Sequence, residues 1–189
     1  MIQSNPLPHL FQTFFVSREI SGSSQIDEMI SCGKTIDYKP LHTDGQGSMS
    51  VAFGNRVLVT GEDVYLPRLS HEEVVELVDY DAIKNVVLAA GKISPCRETP
   101  VHWMIQKARH DIHAVVFLHD KKIGEHPLSD IPTTGKSYPL GTIESVKEIL
   151  RTLREGNIIM VKDAGLLITG MTLHEIEEKG VQVLKRITL

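Results

Sequence analysis

A hydrophobic run in the middle of the chain, AVVFLHD (Ala114–Asp120), ends in a histidine and an aspartate. Strands of α/β proteins commonly finish this way, at the edge where functional groups collect. An imidazole there can move a proton, donate a hydrogen bond or ligate a metal. Phe117 stands two residues before His119, so the alternation of a strand puts both on one face.

Other groupings of reactive residue types do not hold up. TTGKS (Thr133–Ser137) resembles the end of a phosphate-binding loop. That loop needs a glycine five residues before Gly135, where Asp130 stands, and a helix afterwards, which Pro139 opposes. His71-Glu72 and His174-Glu175 lack the second histidine that a zinc-binding helix carries four residues on. Both sit in capping-box sequences and read as helix starts. His110 and His113 flank a helix C-terminus, where the macrodipole favours them. Cys32 and Cys96 make neither a disulfide framework nor a CxxC pair.

The elements that must position His119 follow from periodicity. SMSVAF and RVLVTG alternate around Gly54-Asn55, a hairpin signal. Val75–Asp81 and Asn85–Gly91 are strand-like. Glu98–His110 places Val101, Met104, Ile105 and Ala108 at helical spacing, with Pro100 in the first turn. Thr142–Gly156 does the same with Val146, Ile149, Leu150 and Leu153, Thr142 as N-cap and Gly156 as C-cap. NIIMVKD and GLLITG are two more strands, and Thr172 with Glu175 opens a last helix. Before Ser48 the pattern is weak. Leu10–Ile20 reads as a helix with an apolar stripe, and SGSSQIDEMISCGKT as loop and turn material.

Length and composition set the frame. The chain has 189 residues, 41% hydrophobic and 23% charged, with a net charge of −4. That suits one globular domain over residues 1–189, of which 1–44 are poorly readable. A mildly acidic chain without basic runs gives no footing for nucleic acid. The N-terminus lacks the basic start of a signal peptide, and no apolar run approaches the ~20 residues of a membrane span. The expected setting is the cytoplasm, with no membrane partner.

Four segments in order resemble the class II aldolase/adducin family, metal-dependent enzymes of the fuculose-phosphate and ribulose-phosphate type. They are GQGSMSVAFGNRVLVTG (Gly45–Gly61), SPCRETPVH (Ser94–His102), the AVVFLHD strand, and Tyr138–Gly170. The resemblance implies a single three-layer α/β domain, a central, mostly antiparallel sheet flanked by helices. It also implies a homotetramer with its site at a subunit boundary.

In that family three histidines hold one divalent ion, usually zinc, which stabilises an enediolate. The matching positions here are Phe117, His119 and Ala164, so only His119 is a retained ligand. No metal is expected unless the site is rebuilt, with Glu98, Asp120 or Asp163 supplying oxygens. His119 is then a residual ligand, a metal-free acid or hydrogen-bond donor, or a structural histidine. Glu98 matches the family's proton-transferring glutamate; it reads equally as a first-turn helix carboxylate. The phosphate-site positions fall on Ser48, Thr60, Gly61, Cys96 and Arg97, and the guanidinium can bind an anion or pair with a neighbouring carboxylate. Two functions follow. One is an aldolase-like lyase or epimerase for a small phosphorylated or carboxylated sugar-like compound, with Glu98 and His119 as its catalytic residues. The other is a non-catalytic, adducin-like binding or assembly module.

Overall fold

Strand β6 (Ala114–His119) sits near the centre of the molecule and divides it. Its Val116 and Leu118 face one hydrophobic core, and its Val115 and Phe117 face another. The computed structural model describes residues 10–36, 45–125, 128–154 and 156–187. The remaining strands are β1 (Gln12–Ser17), β2 (Gly47–Phe53), β3 (Arg56–Thr60), β4 (Val74–Asp81), β5 (Val86–Ala90), β7 (Ile158–Val161) and β8 (Gly165–Gly170). They form one eight-stranded sheet in the order β1-β5-β4-β3-β2-β6-β8-β7. The β1–β5 pair is parallel and every other pair antiparallel.

Helices cover both faces, which makes the fold a three-layer α/β domain, as the sequence implies. The helices are α1 (Gln25–Thr35), α2 (Thr99–Ala108), the short α3 (Lys121–Glu125), α4 (Ile143–Leu153) and α5 (Leu173–Ile187). α2 and α4 bury Val101, Ile105, Val146, Ile149 and Leu153 against Val115, Phe117 and Leu167. Burying each such side chain contributes about 1.5–3 kcal/mol, so this face is anchored by several independent contacts. α1, α3 and α5 pack Ile26, Met29, Ile123, Ile176 and Leu184 on the opposite face.

Most elements fall where the periodicity puts them. The β2–β3 hairpin turns at Gly54, with φ 58°, and Thr142 caps α4 by accepting the Ser145 N–H at 3.1 Å. The T-x-x-E start of α5 forms as well, Thr172 Oγ1 accepting the Glu175 N–H at 3.2 Å. Near His71 the capping box of Ser70 and Glu73 opens a 3-10 turn that runs into β4, not an α-helix. TTGKS runs as irregular chain, and Gly135 and Lys136 donate their N–H groups to the Glu148 carboxylate at 2.8 and 3.3 Å.

Three expectations are corrected. Leu10–Ile20 is not a helix but carries edge strand β1, whose exposure alternates residue by residue. Phe11 and Phe15 face the core while Phe14 and Val16 stay exposed, so the period is two and pairing to β5 decides the element. Residues 25–35 are a helix and not a loop. Ile26, Met29, Cys32 and Gly33 form its buried stripe, and a side chain on Gly33 would lie 2.3 Å from the Leu66 carbonyl oxygen. That glycine serves close packing and not a turn. Finally, α4 ends at Arg154, in the left-handed region at φ 40°, and not at Gly156.

Candidate functional site

Glu98 and His119 meet because two chain turns deliver them to one place. The SPCRE turn is tied to the sheet: the Cys96 N–H donates to the Thr60 carbonyl at 3.0 Å, and Pro95 bridges to Gly61. Thr99 N–H then donates to the Cys96 carbonyl, and Pro100 occupies the first turn of α2. Glu98 is left at the N-cap position, where its side chain makes no capping bond. It points instead at His119, with Oε1 3.3 Å from Nε2.

The histidine is held just as firmly. Its N–H donates to the Gln46 carbonyl at 3.0 Å, and it lies opposite Gly165 of β8. Gly165 has φ 150°, and any side chain there would run to 2.0 Å from the Leu118 carbonyl oxygen. Only glycine lets the strands approach so closely at the level of His119. The His119 side chain is 29% exposed and that of Glu98 only 5%, so the imidazole stands between the carboxylate and solvent.

Burial pushes the Glu98 carboxyl up, but its hydrogen bond to His119 and its interaction with the neighbouring imidazoles outweigh it. The group stays below the usual carboxylate range and is ionised at neutral pH. The pair therefore holds a buried carboxylate next to a partly exposed imidazole whose Nε2, the atom facing Glu98, is itself buried.

The other sequence-singled residues lie close by in different states. Phe117 is entirely buried, with its ring edge-on to that of His119 at 5.1 Å between centroids. Ala164 sits in the turn before β8, against the core under α2 and α4, and its carbonyl accepts the Asp120 N–H. Asp120 is 2% exposed, and its Oδ1 accepts the Lys122 N–H at 2.9 Å where α3 begins. The three positions that the resemblance matches to metal-binding histidines thus carry one imidazole, a phenyl ring and a methyl group. Among the described residues no three His, Cys, Asp or Glu side chains gather to hold an ion. The residues present do not fit a three-imidazole centre.

The phosphate-site positions divide. Ser48 and Thr60 are wholly buried, and Cys96 nearly so. Thr60 Oγ1 accepts the Met49 N–H at 3.1 Å, and Ser48 Oγ bonds His102 at 2.8 Å, so their hydroxyls serve the interior. Burial pushes the Cys96 thiol far up, which keeps it neutral. Gly61 N–H donates to the Glu73 carbonyl at 2.7 Å. Arg97 alone of this set reaches solvent, 3.8 Å from Glu62.

The histidine on which the SPCRETPVH motif ends, given no role by the sequence reading, lies next to Glu98. His102 is completely buried, with Nε2 on Ser48 Oγ and Nδ1 on Ser50 Oγ, both at 2.8 Å. Gln106 Nε2 donates to Ser50 Oγ at 2.9 Å. The signal was available in spacing: Glu98, His102 and Gln106 recur every four residues on one helix face, and Ser48 and Ser50 share one strand face.

The family model described as Class II Aldolase and Adducin N-terminal domain matches residues 27–124, more than half of the chain. The chain belongs to the class II aldolase and adducin family. No curated protein matches it. Among solved structures, an L-fuculose 1-phosphate aldolase is similar at TM-score 0.71 and 18% identity, over 89% of this chain and 86% of that one. L-fuculose-1-phosphate aldolase from Thermus thermophilus gives TM-score 0.68 at 17% identity, over 87% and 92%. YgbL from Escherichia coli, described as a candidate aldolase/epimerase/decarboxylase, gives 0.65 at 15%, over 87% and 86%. At such identities the likeness concerns the fold of this class II aldolase relative. No described helix is long and apolar enough to cross a membrane.

Proposed function

We propose that this chain is a metal-independent class II aldolase relative that forms an enolate from a small phosphorylated or carboxylated sugar-like carbonyl compound, as a lyase or epimerase. One observation carries the reading: the 3.3 Å contact between a buried glutamate that does not cap its helix and a partly exposed histidine. The Glu98 carboxylate accepts a proton from carbon next to the carbonyl, and the electron pair moves onto the carbonyl oxygen. His119 donates a ring N–H to that oxygen as its charge grows. Returning the proton to the opposite face epimerises the carbon. Taking a β-hydroxyl proton instead lets the adjacent carbon–carbon bond break into the same enolate. Arg97, freed from Glu62, supplies the contact to the substrate's anion. The phenyl ring of Phe117 and the methyl of Ala164 support a metal site lost to packing. The same reading places the protein in the cytoplasm as a homotetramer that binds a small anionic metabolite.

The test is α-proton exchange in deuterated buffer, followed by NMR with small phosphorylated and carboxylated hydroxyketones. Exchange should persist in chelator, purified protein should carry substoichiometric zinc, and Glu98→Gln should slow exchange about 100-fold or more. Exchange that never exceeds the Glu98→Gln level with any such compound would favour the adducin-like binding module instead. A stoichiometric metal whose removal stops exchange would sink the metal-independent reading and point to a rebuilt centre.

A further inference from the structure

The chain of buried hydrogen bonds behind Glu98 has a direction. Gln106 donates an N–H into Ser50 Oγ, and the other partner of that oxygen is His102 Nδ1. Ser50 is entirely buried, so its hydroxyl hydrogen needs an acceptor inside the protein, and His102 Nδ1 is the one in reach. With Nδ1 accepting, the ring carries its proton on Nε2, which donates to Ser48 Oγ at 2.8 Å. Cys96 Sγ meets Thr99 Oγ1 at 3.7 Å, inside the turn that leads into α2. Cys96 stands two residues before Glu98, in the turn tied to Thr60 of β3. At the other end of that turn, the Glu98 carbonyl accepts the N–H groups of Val101 and His102 at 2.8 and 3.1 Å.

We propose that His102, fixed as the neutral Nε2–H tautomer by the Gln106–Ser50 donor chain, is the positioning residue of Glu98. It pins the first turn of α2, whose His102 N–H is held by the Glu98 carbonyl, to Ser48 and Ser50 of β2, and it sets no cation behind the carboxylate. Its catalytic meaning rests on the function proposed above; its chemistry does not. Burial pushes His102 down to about 4, so the ring is uncharged wherever the Glu98–His119 pair operates. A charged His102 would hold Glu98 lower still and make it a poorer base. The reverse arrangement, with Nδ1–H donating to Ser50, requires Ser50 to donate to Gln106 Oε1 and Ser48 to donate to His102 Nε2.

Nitrogen-15 NMR of the histidine-labelled full chain decides between the two. The His102 signals, assigned by their loss in His102→Gln, should show a protonated Nε2 and an unprotonated Nδ1, unchanged between about pH 5.5 and 8. A proton on Nδ1, or titration near the ordinary histidine value, overturns the proposal without any further variant. Ser50→Ala should abolish the single tautomer, and Ser50→Thr should restore it. If the function above is also right, Ser50→Ala lowers kcat for exchange about tenfold or more with KM within about twofold, and Ser50→Thr recovers it, as expected for a base moved slightly out of line. A Ser50→Ala protein with the wild-type tautomer and wild-type kcat also overturns it. The predicted tautomer in a protein without exchange activity would sink the function and leave the donor chain standing.

Discussion

Strands β2 and β6 lie side by side beneath α2, with Ser48 opposite Phe117 and Ser50 opposite Val115. On β2 the inward face is polar, and every hydroxyl has a partner in His102 or Gln106. On β6 it is apolar and packs against Val101 and Ile105. The two strands meet the same cost of burial in opposite ways. A buried polar group persists where a fixed partner satisfies it. An imidazole that needs a metal and two companion ligands has no such partner alone, and a phenyl ring takes that place with no polar atom to satisfy.

The largest expected effect tests the apolar strand. Phe117→Ala should cost about 3–5 kcal/mol in chemical denaturation, the range for emptying a fully buried aromatic position. A loss under about 1 kcal/mol would show that Phe117 fills loose space and that the contrast between the strands is false.

Next comes acid stability, to which the polar side of the comparison contributes through His102 and the apolar side does not. The unfolded His102 takes a proton near its ordinary 6.5 and the folded one only at about 4, so the unfolded state binds more protons in between. Stability should therefore fall as pH drops from 6.5 towards 4, by on the order of 3 kcal/mol. Glu98 acts in the same direction. Its depressed folded value gives stability above the ordinary carboxylate range that is lost as pH falls through that folded value. His102→Leu should flatten the upper part of this window. Denaturant midpoints measured at several pH values report it, and equal slopes in both proteins would contradict the assignment.

A smaller effect belongs to one hydrogen-bonded hydroxyl. Ser50→Ala should destabilise by about 1–3 kcal/mol, since it strands His102 Nδ1 and the Gln106 amide without partners. Thermal and urea melts that coincide with wild type would mean that the polar strand is not the satisfied network described. The smallest effect lies outside both strands. Arg97→Ala should change stability by less than about 1 kcal/mol, because the Glu62 pair is partly exposed. Phosphate should nevertheless raise the melting temperature of wild type and not of this variant. An equal rise in both would remove Arg97 from the anion site.

Much of the fold was legible in the sequence. From Ser48 onward, alternating and helical patterns located the strands, α2, α4 and the start of α5, because those elements each bury one continuous stripe. The first third was not legible for two reasons. β1 is a half-exposed edge strand whose two phenylalanines in a row blur the alternation. The stripe of α1 uses a cysteine and a glycine, residue types that do not read as helix. Of the candidate site, motif reading singled out Glu98 and His119, while His102, Ser50 and Gln106 were given no role. Buried neutral groups that satisfy one another leave only a spacing, which gains meaning once the helix and strand are known to face each other.

By itself, then, the sequence determined the family and the layered α/β architecture, since order of motifs and residue type are linear properties. It also set Phe117 and His119 on one strand face, through alternation alone. Only the tertiary structure decided that Glu98 turns away from its helix N-terminus towards His119, that Ser48 serves His102 and not the solvent, and that Arg97 rests beside Glu62. Those outcomes depend on which of several competing partners lies within hydrogen-bond reach, and distance between residues far apart in the chain is a property of the packed sheet and helices.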